Sequence, residues 1–194
     1  MNREIFGLIN NLANKNIFLD KVMMFFSKDM IYIFAGILVL VFLLGIVKKD
    51  KKTRWVVVNT ALLTGINLIL VYFIGVFYYV DRPFVHNKVN LLYPHVEDAS
   101  FPSDHATVTM SIALGINKYN KALGIVLTIL SLVVGFSRVY VGHHSPFDIV
   151  GSYIIVFITS YIYNVKLSNK VNKIYDKIES TIATKLGITW LYKN

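Results

Sequence analysis

Three short stretches hold most of the groups in this chain that could do chemistry: Asp81-Arg82-Pro83, Phe101-Pro102-Ser103-Asp104-His105, and the run from Ser137-Arg138 through Gly142, His143 and His144 to Asp148. Together they offer two guanidiniums, a serine before an apolar run, two candidate acid–base histidines, and a carboxylate four residues after one of those histidines. Arginine is scarce, four residues against sixteen lysines, yet two of the four stand here. A planar fork that binds oxygens in pairs is a reason to use arginine where the chain otherwise prefers lysine. Pro102-Ser103 reads as a helix start, which would aim free backbone N–H groups at an anion. The inventory points to a phosphate site.

The elements that must position these groups are apolar. Of 194 residues, 55% are hydrophobic and 16% charged, with a net charge of +9 and a mean hydropathy of +0.56. A soluble domain carries roughly a quarter of its residues as charges. Disorder and water solubility are excluded, and the absence of cysteine removes disulfides, thiolate nucleophiles and cysteine-based metal sites. Runs at 31–47, 55–80, 123–141 and 149–165 are long enough to cross a bilayer, and 106–116 becomes a fifth span if it begins at 103–105. The expected fold is an all-α, polytopic membrane bundle forming a single domain, with an interfacial segment at 1–28, a core at 29–165 and an amphipathic tail at 166–194.

Thirteen of the 20 Lys and Arg residues fall on one side of these spans: five in 48–54, Lys118 and Lys121, and six after Val165. The positive-inside rule makes that side cytoplasmic and turns the 81–105 and 138–148 loops outward. The charge is therefore a topology signal and not a nucleic-acid footprint. All five histidines lie between 86 and 144, all four prolines between 83 and 146, and five of the eleven acids sit in the same region. Ionisable groups clustered at one membrane edge mark function. The stretch 1–28, with Ile5, Ile9 and Leu12 and then Phe18, Val22 and Phe25 at helical spacing, is expected to form two interfacial helices. A sixth span is the alternative. Ile174, Ile178, Ile182 and Leu186 make a similar stripe in the tail.

Arg82-Pro83, Pro102-Ser103-x-His105 and Ser137-Arg138-x5-His144-x3-Asp148 resemble, in order, the three motifs of the type 2 phosphatidic acid phosphatase superfamily. The Asp-Arg-Pro-Phe and Phe-Pro-Ser-Asp-His wording is similar to its bacitracin-resistance branch of undecaprenyl diphosphate phosphatases. The resemblance implies a multi-pass enzyme of the bacterial plasma membrane, acting from the extracytoplasmic face on a polyprenyl diphosphate lipid without metal or other cofactor. It assigns His144 as the nucleophile, Asp148 as acceptor of a hydrogen bond from its other ring nitrogen, and His105 as general acid and then base. Arg82, Ser103 and Arg138 would hold the phosphate oxygens. Two positions depart from the family pattern. A lysine seven residues before the first-motif arginine is replaced by Gly75, with Lys88 as a possible substitute. The usual glycine of the second motif is Asp104, which we expect to raise the pKa of His105. Alternatives are a monophosphate lipid phosphatase of the same superfamily and a small anion transporter. A metal pair at His143 and His144 is the reading the residues favour least, because adjacent side chains diverge. His86 and His95 read as loop residues.

Overall fold

The computed structural model describes residues 2–187. Nine helices, and no strand, occur among them: α1 (Asn2–Asn10), α2 (Ile17–Lys28), α3 (Met30–Val47), α4 (Lys51–Phe77), α5 (Pro83–His86), α6 (Asp104–Ile116), α7 (Lys121–Tyr140), α8 (Pro146–Lys166) and α9 (Ser168–Lys185). Of these, α3, α4, α7 and α8 are long and apolar enough to cross a membrane, and the chain is a multi-pass membrane protein.

The expected fifth span is a different kind of element. At 13 residues, α6 is about 20 Å long, short of the roughly 30 Å hydrocarbon core. It is also the most enclosed helix, buried continuously from Ala106 to Ala113. α3, α4, α7 and α8 all pack against it, so protein and not lipid surrounds its backbone. A shielded helix need not match the bilayer. Its first turn can therefore lie at the depth where the chemistry is needed.

The core follows from this arrangement. Val108, Ile112, Ala113 and Ile116 of α6 meet Phe34 and Val41 of α3, Val57 of α4, and Leu127 and Val134 of α7. At one end of the bundle, which we call the site end, α1 and α2 cover the turn after α7. Asn10 Nδ2 donates to the Tyr140 and Asn90 carbonyls, both at 2.9 Å, and the Tyr140 hydroxyl donates to Asp20 at 2.8 Å. The opposite end carries the lysine-rich turn and α9, which docks on α4 through side-chain hydrogen bonds including Trp55 Nε1 to Asp176 at 2.7 Å. Ile174, Ile178, Ile182 and Leu186 stay exposed along α9. The last seven positions of the expected tail lie outside the described residues.

Candidate active site

The end of α7 is built to fold back on itself. Gly142 has φ +89°, a conformation that glycine adopts without a Cβ clash. The reversal brings the His143 and His144 N–H groups onto the Arg138 carbonyl, at 3.0 and 3.3 Å. His144 thereby comes to lie over Arg138, and α8 starts immediately afterwards. A capping box holds that start: Ser145 and Asp148 exchange side-chain-to-backbone hydrogen bonds around Pro146.

The long loop between α4 and α6 supplies the other wall. Ser100 N–H donates to the Val80 carbonyl at 2.8 Å, closing the loop and bringing Arg82 and Ser100 to the same place. Phe101 lies against α8 at Gly151, where an added Cβ would stand 2.3 Å from its ring. Ser103 N–H donates to Ser152 Oγ at 2.7 Å. These contacts fix the entry of α6 against α8.

The motif residues Arg82, Ser103, Arg138, His144 and Asp148 converge and are all buried. His144 Nδ1 lies 2.8 Å from the Ser100 carbonyl, which can only accept, so Nδ1 carries the proton and Nε2 holds a lone pair. Arg82 Nη1 donates to that Nε2 at 3.1 Å, and Arg138 Nη2 approaches it at 3.5 Å. Burial, then the charges of Arg138 and Arg82, hold the His144 pKa well below the usual histidine value. A neutral imidazole nitrogen thus faces two guanidiniums. Ser103 Oγ and Arg138 Nε are buried and make no hydrogen bond among the described residues. Buried donors of this kind suit an incoming oxyanion.

His105, in the first turn of α6, is half-buried. It lies within electrostatic reach of Arg138, His144, His95 and Arg82.

Three expectations need correction. Asp148 does not take the His144 Nδ1–H directly: its Oδ2 is 3.8 Å away. That oxygen is already engaged by Ser100 Oγ at 2.6 Å and Ser145 N–H at 2.7 Å, and the Ser100 carbonyl is the direct partner. Asp104 does not raise the pKa of His105, which burial and then the charges of Arg138, His144, His95 and Arg82 lower to about 3. Successive helical side chains diverge by about 100°; Asp104 is exposed and lines a cavity of about 340 Å³ with Glu97, Asp98, Pro102 and Gly75. Lys88 is exposed and, among the described residues, forms no hydrogen bond or ion pair with the cluster, so no contact here brings it to the place of the first-motif lysine.

The structure also adds residues that the motifs do not contain. Arg138 Nη1 donates to the Ser27 carbonyl, Ser27 Oγ and the Tyr93 hydroxyl at 3.1–3.3 Å, and Nη2 to His95 Nε2 at 3.1 Å. Arg82 Nε donates to Asp98 at 2.7 Å. His95 is therefore part of the site and not a bystander; burial and the two arginines lower its pKa. His143 is structural: Nε2 donates to the Tyr93 carbonyl at 3.0 Å, its ring packs on Tyr93 and His95, and burial followed by Arg138 lowers its pKa to about 3. His86 pairs with Asp81 at the surface at 3.1 Å. Among the described residues, no three His, Cys, Asp or Glu side chains are grouped to hold a metal.

The chain is similar to known proteins. The family model described as the PAP2 superfamily matches residues 54–171. The undecaprenyl-diphosphatase BcrC of Bacillus subtilis is 38% identical over 84% of this chain and 82% of its own. A protein of Escherichia coli named putative undecaprenyl-diphosphatase YbjG is 29% identical over 93% of this chain and 89% of its own. Among solved structures, Aquifex aeolicus LpxE superposes with a TM-score of 0.66 at 27% identity, covering 82% of this chain and 92% of the other.

Proposed function

Because the chain belongs to the PAP2 superfamily, we propose that its buried His–Arg cluster removes the terminal phosphate of undecaprenyl diphosphate by way of a phosphohistidine. The enzyme is an undecaprenyl-diphosphate phosphatase embedded in the membrane. One observation carries the mechanism: the His144 Nε2 lone pair faces Arg82 and Arg138 while Ser100 fixes the proton on Nδ1.

In the first step Nε2 attacks the terminal phosphorus in line. The P–N bond forms as the bond to the bridging oxygen breaks, and undecaprenyl phosphate leaves. The negative charge of the bound diphosphate favours the protonated form of His105, which gives its proton to that leaving oxygen. Arg82, Arg138 Nε and Ser103 Oγ receive the equatorial oxygens as charge spreads over them. The imidazole becomes cationic when it is phosphorylated. The Ser100 carbonyl and the Asp148 carboxylate, 3.8 Å from Nδ1, stabilise that charge, in the manner of the orienting acid of a triad. In the second step His105 takes a proton from water, the resulting hydroxide attacks phosphorus, and the P–N bond breaks to release inorganic phosphate.

The positive-inside bias supports a site at the extracytoplasmic face. There the reaction would recycle the lipid carrier of cell-wall precursors, and bacitracin resistance is the expected phenotype. The polar-headed, long-chain substrate reaches the site from the membrane in which the enzyme sits.

The test is turnover of undecaprenyl diphosphate by the purified protein in detergent with a chelator present. The expected result is phosphate release, an acid-labile phosphoenzyme trapped from labelled substrate, and loss of both in His144→Ala. Preference for phosphatidylglycerophosphate over the polyprenyl diphosphate would overturn the substrate assignment. A phosphoenzyme persisting in His144→Ala would overturn the mechanism.

A further inference from the structure

The two arginines that face His144 are themselves gripped by a single loop outside the motifs. Arg82 is 5% exposed, and its Nε donates to Asp98 Oδ1 at 2.7 Å. Its Nη1 donates to the His143 carbonyl and to His144 Nε2, each at 3.1 Å. Three residues before Asp98, His95 accepts from Arg138 Nη2 at 3.1 Å, and its Nδ1 stands 4.0 Å from Asp98 Oδ1. One short segment therefore touches both guanidiniums, one through a carboxylate and the other through an imidazole.

A guanidinium is a rigid planar fork, so fixing one edge fixes the direction of the other. Asp98 takes the Nε position, and Nη1 is left aimed at the nitrogen that would be phosphorylated. We infer that Asp98 is the positioning residue of Arg82: its carboxylate sets the angle at which the guanidinium meets the transferring phosphate. The inference rests on the phosphatase reading above. A carboxylate on an arginine can also act as a competitor for the phosphate. The geometry argues against that role here, because an oxyanion beside His144 Nε2 meets Nη1 and leaves the Nε–Asp98 bond in place. Asp98 is also the more exposed partner, at 57%, so it reaches inward from the mouth to a buried group.

The experiment compares Asp98→Ala with Asp98→Asn in the full-length protein, measuring turnover of polyprenyl diphosphate and binding of orthovanadate, a five-coordinate phosphorus mimic. An amide oxygen still accepts the Nε–H, so Asp98→Asn is expected within about 5-fold of the parent kcat. Asp98→Ala is expected to lower kcat by about 30-fold with KM changed by less than about 3-fold, and to weaken vanadate by the same factor as kcat. Asp98→Ser is too short to reach Nε and repeats the comparison if the alanine variant does not fold. Tighter vanadate binding or a lower KM in Asp98→Ala would identify a competitor and overturn the inference. Equal losses in the asparagine and alanine variants would also overturn it, since charge and not aim would then matter. Vanadate binding does not involve the lipid. A parent protein inactive on polyprenyl diphosphate would thus overturn only the substrate assignment, and the vanadate ratio would still decide the role of Asp98.

Discussion

Arg54 and Arg138 are both almost wholly buried, at opposite ends of the same bundle, and they have opposite surroundings. Arg54 is matched: Nε and Nη2 form a fork on the Glu179 carboxylate at 2.6 and 3.0 Å, and Nη1 donates to the Gly45 carbonyl at 3.0 Å. Tyr175 donates to the same carboxylate at 2.6 Å. Among the described residues, Arg138 has no carboxylate against it. Its acceptors there are neutral (Ser27, Tyr93, His95 and His144), and its Nε has no partner among them. A buried charge that is already paired is structural. One that is held in place by neutral acceptors is, in the proposed mechanism, prepared for an anion that arrives with the substrate.

The contrast can be broken most directly by removing each guanidinium. Arg138→Ala is expected to lower kcat/KM by about 10²–10³, the size of losing one oxyanion donor, with little change in thermal midpoint. Arg54→Ala leaves Glu179 buried without its cation, a loss of about 3–5 kcal/mol of stability, while the folded fraction keeps its specific activity. Thermal unfolding in detergent and phosphate release read the two effects separately. If Arg138→Ala destabilised the protein as much as Arg54→Ala and the surviving fraction turned over normally, the distinction between the two ends would be wrong.

A smaller effect sharpens the same point through pH. In the proposed mechanism His144 must be neutral to attack, and burial followed by Arg138 and Arg82 resists its protonation. The sign follows: protonation of His144 should cost no activity as pH falls through the ordinary histidine range near 6.5, and kcat/KM should decline only at lower pH. Stability moves the other way. Below about pH 6.5 the unfolded chain binds protons that buried His143 and His144 refuse, so acid weakens the fold across that window. Arg138→Gln removes one of the charges opposing the imidazolium, so its acid limb should move toward neutral pH, whereas Arg54→Gln should leave the limb unmoved. A pH–rate profile of each variant checks this. An unmoved limb in Arg138→Gln would mean that the guanidinium does not act on the nucleophile.

How much of this contrast the sequence reveals depends on what kind of residue carries each half. Arg82, Ser103, His105, Arg138, His144 and Asp148 stand out because their types are rare in an apolar chain and their spacing is ordered. The groups that hold the arginines do not. Ser27 lies 111 positions from Arg138 and Asp98 sixteen from Arg82, and a lone serine or a loop aspartate has no spacing to announce it. Arg54 was legible only as one of five basic residues in a topogenic loop. Its real partner is 125 residues away on a helix that reads as surface-lying. The bundle was legible for a simpler reason, since lipid imposes length and hydropathy on each span. α6 escaped that rule because protein surrounds it, and the direction of Asp104 escaped because it depends on which face of α6 the bundle encloses.

The smallest effect concerns the other side of the imidazole, where Ser100 contributes through two atoms. Its carbonyl accepts the His144 Nδ1–H, and its hydroxyl donates to Asp148 Oδ2. Ser100→Ala keeps the carbonyl and removes the hydroxyl. Asp148 then retains the Ser145 N–H and loses one of two donors, so its carboxylate is held less firmly in the position 3.8 Å from Nδ1. The tautomer is fixed by a backbone atom that the substitution does not touch, so the nucleophile stays correctly protonated. A loss of about 3- to 10-fold in kcat, the cost of loosening one hydrogen bond to a charged group, is expected, with KM unchanged. Asp148→Asn should cost considerably more, because the charge that stabilises the imidazolium disappears with it. Steady-state kinetics on the two variants rank these contributions. If Ser100→Ala matched Asp148→Asn, the serine hydroxyl and not the carboxylate charge would be what holds the nucleophile.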